Sequence, residues 1–376
     1  MKSKRKNLTL LLIFFQIIIN YGASALPFSN KMIVIQKSYK IGQQEGDDNY
    51  VFALIGDFDV DNEGNIYVLD SKNYHVKKFS DAGKYITTFG REGKGPGEFS
   101  YPTAITVIDN IGVAVLDPPL SRITFFNFKG QYIKDFKIKQ PSLYAEDFSR
   151  FLTSNILVKY KIPNYKNNSS TICFMQYDID GKAEKELIKI ERDAPPKAYY
   201  TMNKDVLKKF DYKKWDFAYY WCINSKGYIF IVERKYVYEI IIFSPDGKLH
   251  TTISRQFEII TKTEAEVAQE IELIDLQSLR LFGTKFGETG IPKIKPAIAN
   301  IFLDDLDRLW VETNNKNHSG GILFDIYDDK NNYIAEVNLS EKNISRFKIK
   351  NDNFYGIQKD ELGAQYIVKF KIMEEE

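Results

Sequence analysis

Short runs of alternating apolar and polar residues, each introduced by a Gly or Asp/Asn turn, recur along most of the chain. A turn residue that supplies positive φ, followed by Val, Ile, Tyr or Phe at alternate positions, is typical of strands joined by tight hairpins. The run appears six times, as Gly64-NIYVLD, Gly112-VAVLD, Asn155-ILVKY, Gly227-YIFIVE, Asp307-RLWVE and Asn353-FYGIQ. Repeated units of this kind predict an all-β fold whose units pack side by side around one centre.

A second turn, of the form D/N-x-x-G/N after an apolar run, appears only five times. These copies lead to Lys84, Gln131, Lys182, Lys248 and Asn332, and the sixth is missing where the sequence reads KFKIMEEE. The segment from Met32 to Gly42, MIVIQKSYKIG, aligns with KYITTFG of the first unit. We therefore expect residues 32–42 to pair with the C-terminal strands and to close the last unit, which leaves only short protected edges.

The best-preserved unit spans Asp57 to Phe99 and carries a specific motif. It contains G-N-I-Y-V-L-D, N-x-H-V-x-K-F, D-x-G-K and F-G-x-x-G-x-G-x-G-E-F in that order. This unit resembles the NHL repeat of secreted bacterial six-bladed β-propellers. The resemblance implies one six-bladed β-propeller over residues 26–376. The 44% hydrophobic content of the chain is ample for a ring of packed blades.

The first 25 residues have a different character. Four cations at positions 2, 4, 5 and 6 precede an apolar run from Leu8 to Ile19, and Ala23-Ser24-Ala25 offers small residues at a cleavage site. We interpret residues 1–25 as a secretory signal peptide, so the protein is expected to be exported to the periplasm or the exterior, with no transmembrane helix after cleavage. Removal of this segment changes the formal charge from +2 to −2, which gives no reason to expect nucleic-acid binding.

Two insertions interrupt the repeat, at residues 191–216 and 259–296. The first combines lysines with aromatic residues, among which Lys208, Lys209, Lys213, Lys214, Tyr212 and Trp215 are the candidate binding residues. The second contains a helix signature, with Thr263 and Glu266 as a capping box. Long connections carry function in repeat folds, whereas the insertion aromatics could also simply pack over the rim. We expect a binding or interaction scaffold for a protein or carbohydrate, with no cofactor.

An alternative function rests on acidic residues near the ends of the second strands: Asp70, Asp117, Glu233 and Glu312. As hard oxygen ligands they could hold calcium or another divalent metal at the channel mouth of a lactonase-like hydrolase or lyase. The simpler interpretation of Asp70 and Asp117 is a turn residue that accepts backbone hydrogen bonds. Only three His residues are present, and no nucleophile motif is found, so we favour binding over catalysis. Cys173 and Cys222 could be buried thiols or a disulfide.

Overall fold

The computed structural model describes residues 32–138, 144–164, 169–193, 217–282, 293–314 and 321–375. In these residues six four-stranded antiparallel sheets form the blades of a ring. The prediction of an all-β six-bladed propeller with a short helical insertion is confirmed. The signal peptide expected at residues 1–25 lies outside the described residues.

The strands follow one another regularly along the chain. After β1 (Met32–Ile41), blade 1 contains β2 (Ile55–Val60), β3 (Ile66–Asp70), β4 (His75–Phe79) and β5 (Tyr85–Phe89). A short parallel pair, β6 (Arg91–Glu92) and β7 (Glu98–Phe99), leads to blade 2, which contains β8 (Ala104–Ile108), β9 (Gly112–Asp117), β10 (Arg122–Phe126) and β11 (Tyr132–Lys137). Blade 3 contains β12 (Tyr144–Phe151), β13 (Asn155–Asn164), β14 (Ser169–Asp178) and β15 (Ala183–Asp193).

The second half repeats the plan and includes the helix. Blade 4 contains β16 (Phe217–Ile223), β17 (Ile229–Arg234), β18 (Glu239–Phe243) and β19 (Leu249–Ser254), and helix α1 (Glu264–Phe282) follows it. Blade 5 contains β20 (Ile298–Leu303), β21 (Leu309–Thr313), β22 (Ile322–Tyr327) and β23 (Tyr333–Leu339). Blade 6 contains β24 (Ile344–Lys350), β25 (Asn353–Lys359) and β26 (Gln365–Glu375), with β1 as its fourth strand.

Tight turns with side-chain acceptors join the strands within a blade. At the first turn of blade 1, Asp61 Oδ1 accepts hydrogen bonds from the backbone amides of Glu63 and Asn65, at 3.0 and 2.8 Å. Gly64 occupies the positive-φ position of this turn, at φ 81°. A short Asp or Asn side chain that bonds the backbone two to four residues on stabilises the turn before either strand is paired. The repeating turn signal in the sequence therefore has a direct structural cause.

Apolar side chains of neighbouring blades form the core in the seams between the blades. Alternate residues of a strand point to opposite faces of its sheet, so each blade contributes to two seams. In the seam between blades 6 and 1, for example, Phe58 and Val68 pack with Tyr355 and Ile367, and all four are fully buried. In the described part of the chain, six clusters of this type cover the six seams. The first strand of every blade lies innermost, next to the channel.

The ring is closed by pairing of the two ends of the described chain. Strand β1 pairs antiparallel with β26, from Met32 opposite Glu375 to Ile41 opposite Ile367, with one irregularity between Lys37 and Tyr39. Blade 6 is also tied to blade 1, because Lys369 Nζ lies 2.6 Å from Asp81 Oδ1. The backbone amide of Ile55 donates to Gln365 Oε1 at 2.8 Å in the buried seam. The closure is therefore noncovalent and is reinforced by side-chain bonds across one seam.

Removal of β1 should open the ring at blade 6. We expect a chain that begins at residue 43 to melt about 10 °C or more below one that begins at residue 32, or to aggregate, because β26 would present an unpaired edge. Differential scanning calorimetry of the two truncations measures this difference. The chain that begins at residue 32 is the matched control, since it also lacks residues 1–31. Identical melting curves for the two chains would contradict closure by β1.

Candidate functional site

The long links between blades open on one face of the ring. A first strand begins on the face where the preceding blade's fourth strand ends, and the second strands end on this same face. We call it the insertion face and define it by the link at residues 255–297 between β19 and β20. The candidate binding residues of the first insertion, Lys208, Lys209, Tyr212, Lys213, Lys214 and Trp215, lie outside the described residues. The second insertion is described at residues 259–282 and 293–296.

Helix α1 begins at the capping box that its sequence predicts. The backbone amide of Thr263 donates to Glu266 Oε2 at 2.8 Å, and the amide of Glu266 donates to Thr263 Oγ1 at 3.2 Å. These reciprocal bonds satisfy amides that a helix start leaves without partners. Lys295 Nζ lies 2.6 Å from Glu266 Oε1 and connects the returning chain to the first turn of the helix.

The returning chain is itself fixed to blade 5. Thr313 Oγ1 donates to the carbonyl oxygen of Ala297, and Asn314 Nδ2 donates to that of Pro296, both at 2.7 Å. Both donors stand at the end of the second strand of blade 5. The described ends of the insertion are therefore held on the propeller by specific hydrogen bonds.

Asp70 and Asp117 both serve the backbone of their own blade. The Asp70 carboxylate is fully buried and accepts hydrogen bonds from the amides of Ala53 and Leu54, at 2.9 and 3.0 Å. It also accepts from the amide and the side chain of Asn73, at 3.3 and 3.0 Å. Each such carboxylate fixes the link into the first strand and caps the following turn.

Asp117 repeats this arrangement in blade 2. Its carboxylate accepts from the amides of Ser100, Tyr101 and Leu120, at distances of 2.6 to 3.4 Å. The hydrogen-bond distances and the burial of both carboxylates are those of turn residues that accept bonds from the backbone.

Glu233 and Glu312 lie in two further seams. Glu233 is buried and shares a strand face with Ile231, which packs between blades 3 and 4. Glu312 is half-buried and shares a face with Trp310, which packs between blades 5 and 6. Asp70 and Asp117 belong to the seams between blades 6 and 1 and between blades 1 and 2. The four carboxylates thus share the insertion face without converging, and within the described ranges no three His, Cys, Asp or Glu residues are grouped to hold a metal.

The first strands place a different set of charges inside the channel. Asp57 and Asp59 of β2 reach the exposed edge of β8 and accept hydrogen bonds from the amides of Ile105 and Val107, at 3.0 and 2.8 Å. The channel edge of an innermost strand has no neighbouring strand, so its backbone amides lack carbonyl partners. The two carboxylates accept hydrogen bonds from these amides in place of a strand. The alternation of acids in IGDFDV signals that one face of β2 is polar, but it does not identify the partners, which lie in another blade.

Two basic residues of β24 neutralise these acids. Arg346 NH1 lies 3.4 Å from Asp57 Oδ1, and Lys348 Nζ lies 3.7 Å from Asp59 Oδ1. Burial raises the pKa of Asp57, against the opposing effect of Arg346 and Lys348. Burial alone would lower the pKa of Lys348, but the charges of Asp59 and Asp57 raise it overall. The channel therefore contains compensated ion pairs.

Further polar side chains line the channel between the ion pairs and the opposite mouth, together with apolar residues. Trp221 Nε1 donates to Asp147 Oδ2 at 2.9 Å. A cavity of about 250 Å³ is lined by this pair together with Asp57, Asn300 and Arg346. At the mouth away from the insertion face, a second cavity of about 270 Å³ is lined by charged residues of five blades: Asp59, Asp109, Arg150, Asp304, Asp305, Asp307, Lys348 and Lys350, with Asn224 and Ser225.

The two cysteines are free thiols. Cys173 is buried in β14, where burial and the neighbouring carboxylate of Glu186 raise the pKa of its thiol to about 12. Cys222 lies in β16, and burial raises the pKa of its thiol also. A thiol with a raised pKa is a poor nucleophile at neutral pH. The cysteines therefore behave as packing residues.

Comparison with known proteins gives a family and several structural relatives. Residues 45–285 match the model of a family, DUF5128, described as a 6-bladed beta-propeller. A member of the duf4221 family from Bacteroides vulgatus superposes with a TM-score of 0.57 at 11% identity and covers 91% of this chain and 98% of its own. A Bacteroides fragilis protein described as exported superposes with a TM-score of 0.52 at 12% identity, and the match covers 92% and 96% of the two chains. At these identities the likeness concerns the fold.

One curated protein is similar over a limited stretch. The chain is 28% identical over 108 residues to Protein brain tumor of Drosophila melanogaster. This match covers 28% of the present chain and only a tenth of that protein.

Among the described residues, no helix is long and apolar enough to cross a membrane.

Burial of the Glu312 carboxyl group has a measurable consequence for the stability of the protein. Burial raises the pKa of its carboxyl group to about 7. Between the unfolded-state pKa, about 4.5, and about 7, the unfolded chain loses the proton first, so the free energy of unfolding falls as pH rises through this window. We expect Glu312→Gln to be more stable than wild type by about 1–3 kcal/mol above pH 7 and similar to it at pH 4.

Urea unfolding at pH 4, 6 and 8 measures this difference. Glu239→Gln is the matched control, because Glu239 is exposed in blade 4, and its variant should follow wild type throughout. A Glu312→Gln protein that is less stable than wild type at pH 8 would contradict this account and would indicate that the carboxylate has a cationic partner.

Proposed function

Because the chain belongs to the DUF5128 family of six-bladed β-propellers, we propose that it is a binding scaffold whose recognition surface is the insertion face. The proposal includes the finer features that the sequence suggests, namely NHL-like repeats and export. The partner is a protein or a carbohydrate, bound without a cofactor. The ring contributes rigidity, and the inter-blade links contribute specificity.

The observation that carries this proposal is the unequal length of the links. The links at 138–143 and 340–343 are short, whereas those at 194–216 and 255–297 are long, and the described strands on either side of each long link meet it at the insertion face. Surface connections held by a rigid scaffold are the usual location of binding residues. The capping box and the bonds from Thr313 and Asn314 give the second link a defined attachment.

The carboxylate alternative receives less support from the described residues. A hard cation needs several converging oxygens with free lone pairs. Asp70 and Asp117 each accept backbone hydrogen bonds with both oxygens, and Glu233 and Glu312 lie in other seams. A metal-dependent hydrolase would have to use another set of ligands.

The proposal is tested by charge and aromatic substitutions in the first insertion. Changing Lys208, Lys209, Lys213 and Lys214 together to Ser, or Trp215 to Ala, should leave the melting temperature within about 2 °C of wild type. Affinity for the partner should fall at least tenfold, since the loss of an aromatic or charged anchor typically costs 2 kcal/mol or more. The partner is first identified by crosslinking in the native envelope, and the purified pair is then measured by calorimetry.

A control removes the same number of lysines from the other face. Lys129, Lys182, Lys248 and Lys330 are exposed on the turns between third and fourth strands, which point away from the insertion face. Changing these four residues to Ser should leave affinity unchanged. Equal losses for the two quadruple variants would indicate nonspecific electrostatic binding and would reject a recognition role for the insertion face.

Export has its own test. If residues 1–25 are a signal peptide, the protein recovered from the native cell envelope should begin at Leu26, because a signal peptidase cleaves after the small residue at position 25. N-terminal sequencing or intact mass determines the first residue. Recovery of a chain that retains residues 1–25 would contradict cleavage and would indicate a membrane-anchored form.

A further inference from the structure

Polar side chains of five blades line one cavity of about 250 Å³ in the channel. We call it the channel cavity, and its lining includes Asp57, Asp147, Trp221, Asn300 and Arg346. It adjoins the cavity of about 270 Å³ at the mouth away from the insertion face, because Ser149 and Lys348 line both. The side chains of Arg346 and Lys348 are 52% and 40% exposed. These basic groups are therefore accessible to a solute.

The innermost strands are irregular at the level of this cavity. The pairing of first and second strands shifts beside Asp57, Asp147 and Asn300, and again around Arg346. Arg346 has a φ of 52°, in a region that residues other than glycine seldom adopt. Bulges redirect side chains and are frequent next to functional sites. By contrast, β8 pairs regularly with β9 over its whole length, and it contributes no charged residue to the cavity.

The carboxylates of the channel cavity are largely occupied by the protein itself. Asp147 Oδ1 accepts from the backbone amide of Phe148 and Oδ2 accepts from Trp221 Nε1, both at 2.9 Å. Asp57 Oδ2 accepts from the amide of Ile105 at 3.0 Å. Within the described ranges, Asp57 Oδ1 has only Arg346 NH1 nearby, at 3.4 Å, which exceeds the about 2.7–2.9 Å of a direct charged hydrogen bond. This oxygen keeps accessible surface and can accept a further bond.

Several donors in the cavity are also unused. Arg346, Lys348 and the hydroxyl group of Ser149 make no hydrogen bond to any described residue, and Lys348 Nζ lies 3.7 Å from Asp59 Oδ1. Asn300 Oδ1 accepts from the amide of Ile301 at 2.9 Å, which leaves the Nδ2 atom of Asn300 to donate. A ligand in this cavity therefore meets four donor groups and one carboxylate oxygen.

The charges that line the cavity are balanced. Asp57 and Asp147 are acidic, and Arg346 and Lys348 are basic. A charged ligand would be repelled by one of these two pairs, whereas a neutral ligand can use both as strong hydrogen-bonding groups. A hydroxyl group donates one hydrogen bond and accepts others. It can therefore lie between Asp57 Oδ1 and Arg346 and complete the bonds that their separation leaves unmade.

Trp221 adds a flat apolar surface that is already fixed in position. Its Nε1 atom is bonded to Asp147, and its ring packs edge to face on Phe174, with centroids 5.1 Å apart. An aromatic wall with a few fixed polar groups is typical of small-ligand sites, and drug-sized ligands occupy roughly 300–1,000 Å³. The smaller channel cavity suits a compact molecule. A hexose has this form, because its ring carries an apolar C–H face and its hydroxyl groups surround the ring.

We propose that the channel cavity binds a neutral sugar ring of hexose size. One hydroxyl group donates to Asp57 Oδ1 and accepts from Arg346, other hydroxyl groups accept from Asn300 Nδ2 and Ser149, and the C–H face lies on Trp221. The inference goes beyond the proposed function, because it assigns a second ligand inside the ring rather than a partner on the insertion face.

The test measures binding of D-glucose, D-galactose and D-mannose to the full chain by calorimetry and ligand-observed NMR. At least one hexose should bind wild type with a Kd of about 1 mM or lower. The corresponding uronate and amino sugar should bind at least fivefold more weakly than the neutral hexose, since each places a charge beside like charges. Failure of all three hexoses to bind, or equal binding of the charged analogues, would overturn the proposal.

Arg346→Gln tests the central contact. Its affinity for the hexose should be about tenfold lower, because a hydrogen bond from a charged donor is lost. Arg234→Gln is the matched control: Arg234 is also exposed but lines neither channel cavity, and its variant should bind like wild type. Unchanged affinity in a folded Arg346→Gln protein would reject the assigned geometry.

A second variant keeps the test decisive if Arg346→Gln does not fold. Ser149→Ala removes one hydroxyl group and should weaken hexose binding about threefold, whereas unchanged affinity would count against the proposal. The methyl glycosides of the hexose that binds form a further arm. Binding of a methyl glycoside at least as tight as that of the free sugar identifies the end of a glycan as the ligand, and weaker binding identifies a free monosaccharide.

The channel cavity and the insertion face are tested separately. If the hexoses fail to bind while the lysine and Trp215 variants still lose the partner, only the inference about the cavity is rejected. If a hexose binds while those variants retain the partner, the cavity stands and the role of the first insertion is rejected.

Discussion

The structure depends on the antiparallel pairing of β1 with β26. A propeller blade cannot bury both of its faces alone, so every seam needs a neighbour on each side. The pairing along β1 completes blade 6, and blade 6 then packs against both blade 5 and blade 1 through Phe354, Tyr355 and Ile367. The channel ion pairs require this closed ring, because Asp57 and Asp59 lie in blade 1 whereas Arg346 and Lys348 lie in blade 6.

A second constraint is the supply of hydrogen-bond partners at the inner edge. Six innermost strands converge on the channel, and among the described residues none of them pairs with another strand on that side. Asp57 and Asp59 accept hydrogen bonds from the backbone amides of β8. Their negative charges are balanced by Arg346 and Lys348 of blade 6, which lies on the other side of blade 1. The charged residues of the channel therefore stabilise the inner strands. The same logic applies to Asp70 and Asp117, whose carboxylates fix the links on the insertion face.

The sequence predicts local structure well and long-range contacts poorly. The turn residues and alternating runs correctly predict six blades, and the capping box at Thr263 and Glu266 correctly predicts the start of α1, because each signal acts within a few residues. The partners of Asp57 lie 48 residues or more away in the sequence, in other blades. No local pattern encodes such pairs in a single sequence. The same limit applies to Glu312 and Asp70: both stand near the end of a second strand in the sequence, although their side chains face different seams.

Closure by β1 and β26 also limits the order in which the blades can be completed. Strand β1 precedes the other described strands along the chain, whereas its partner β26 follows all of them. Until β26 is available β1 has no sheet to join, whereas each of blades 1 to 5 consists of four consecutive strands and can be completed without a distant segment. A pairing with so large a sequence separation forms late and slowly. The last step of folding is therefore the capture of the earliest strand, and any factor that holds β1 extended until then would favour the correct ring over association between chains.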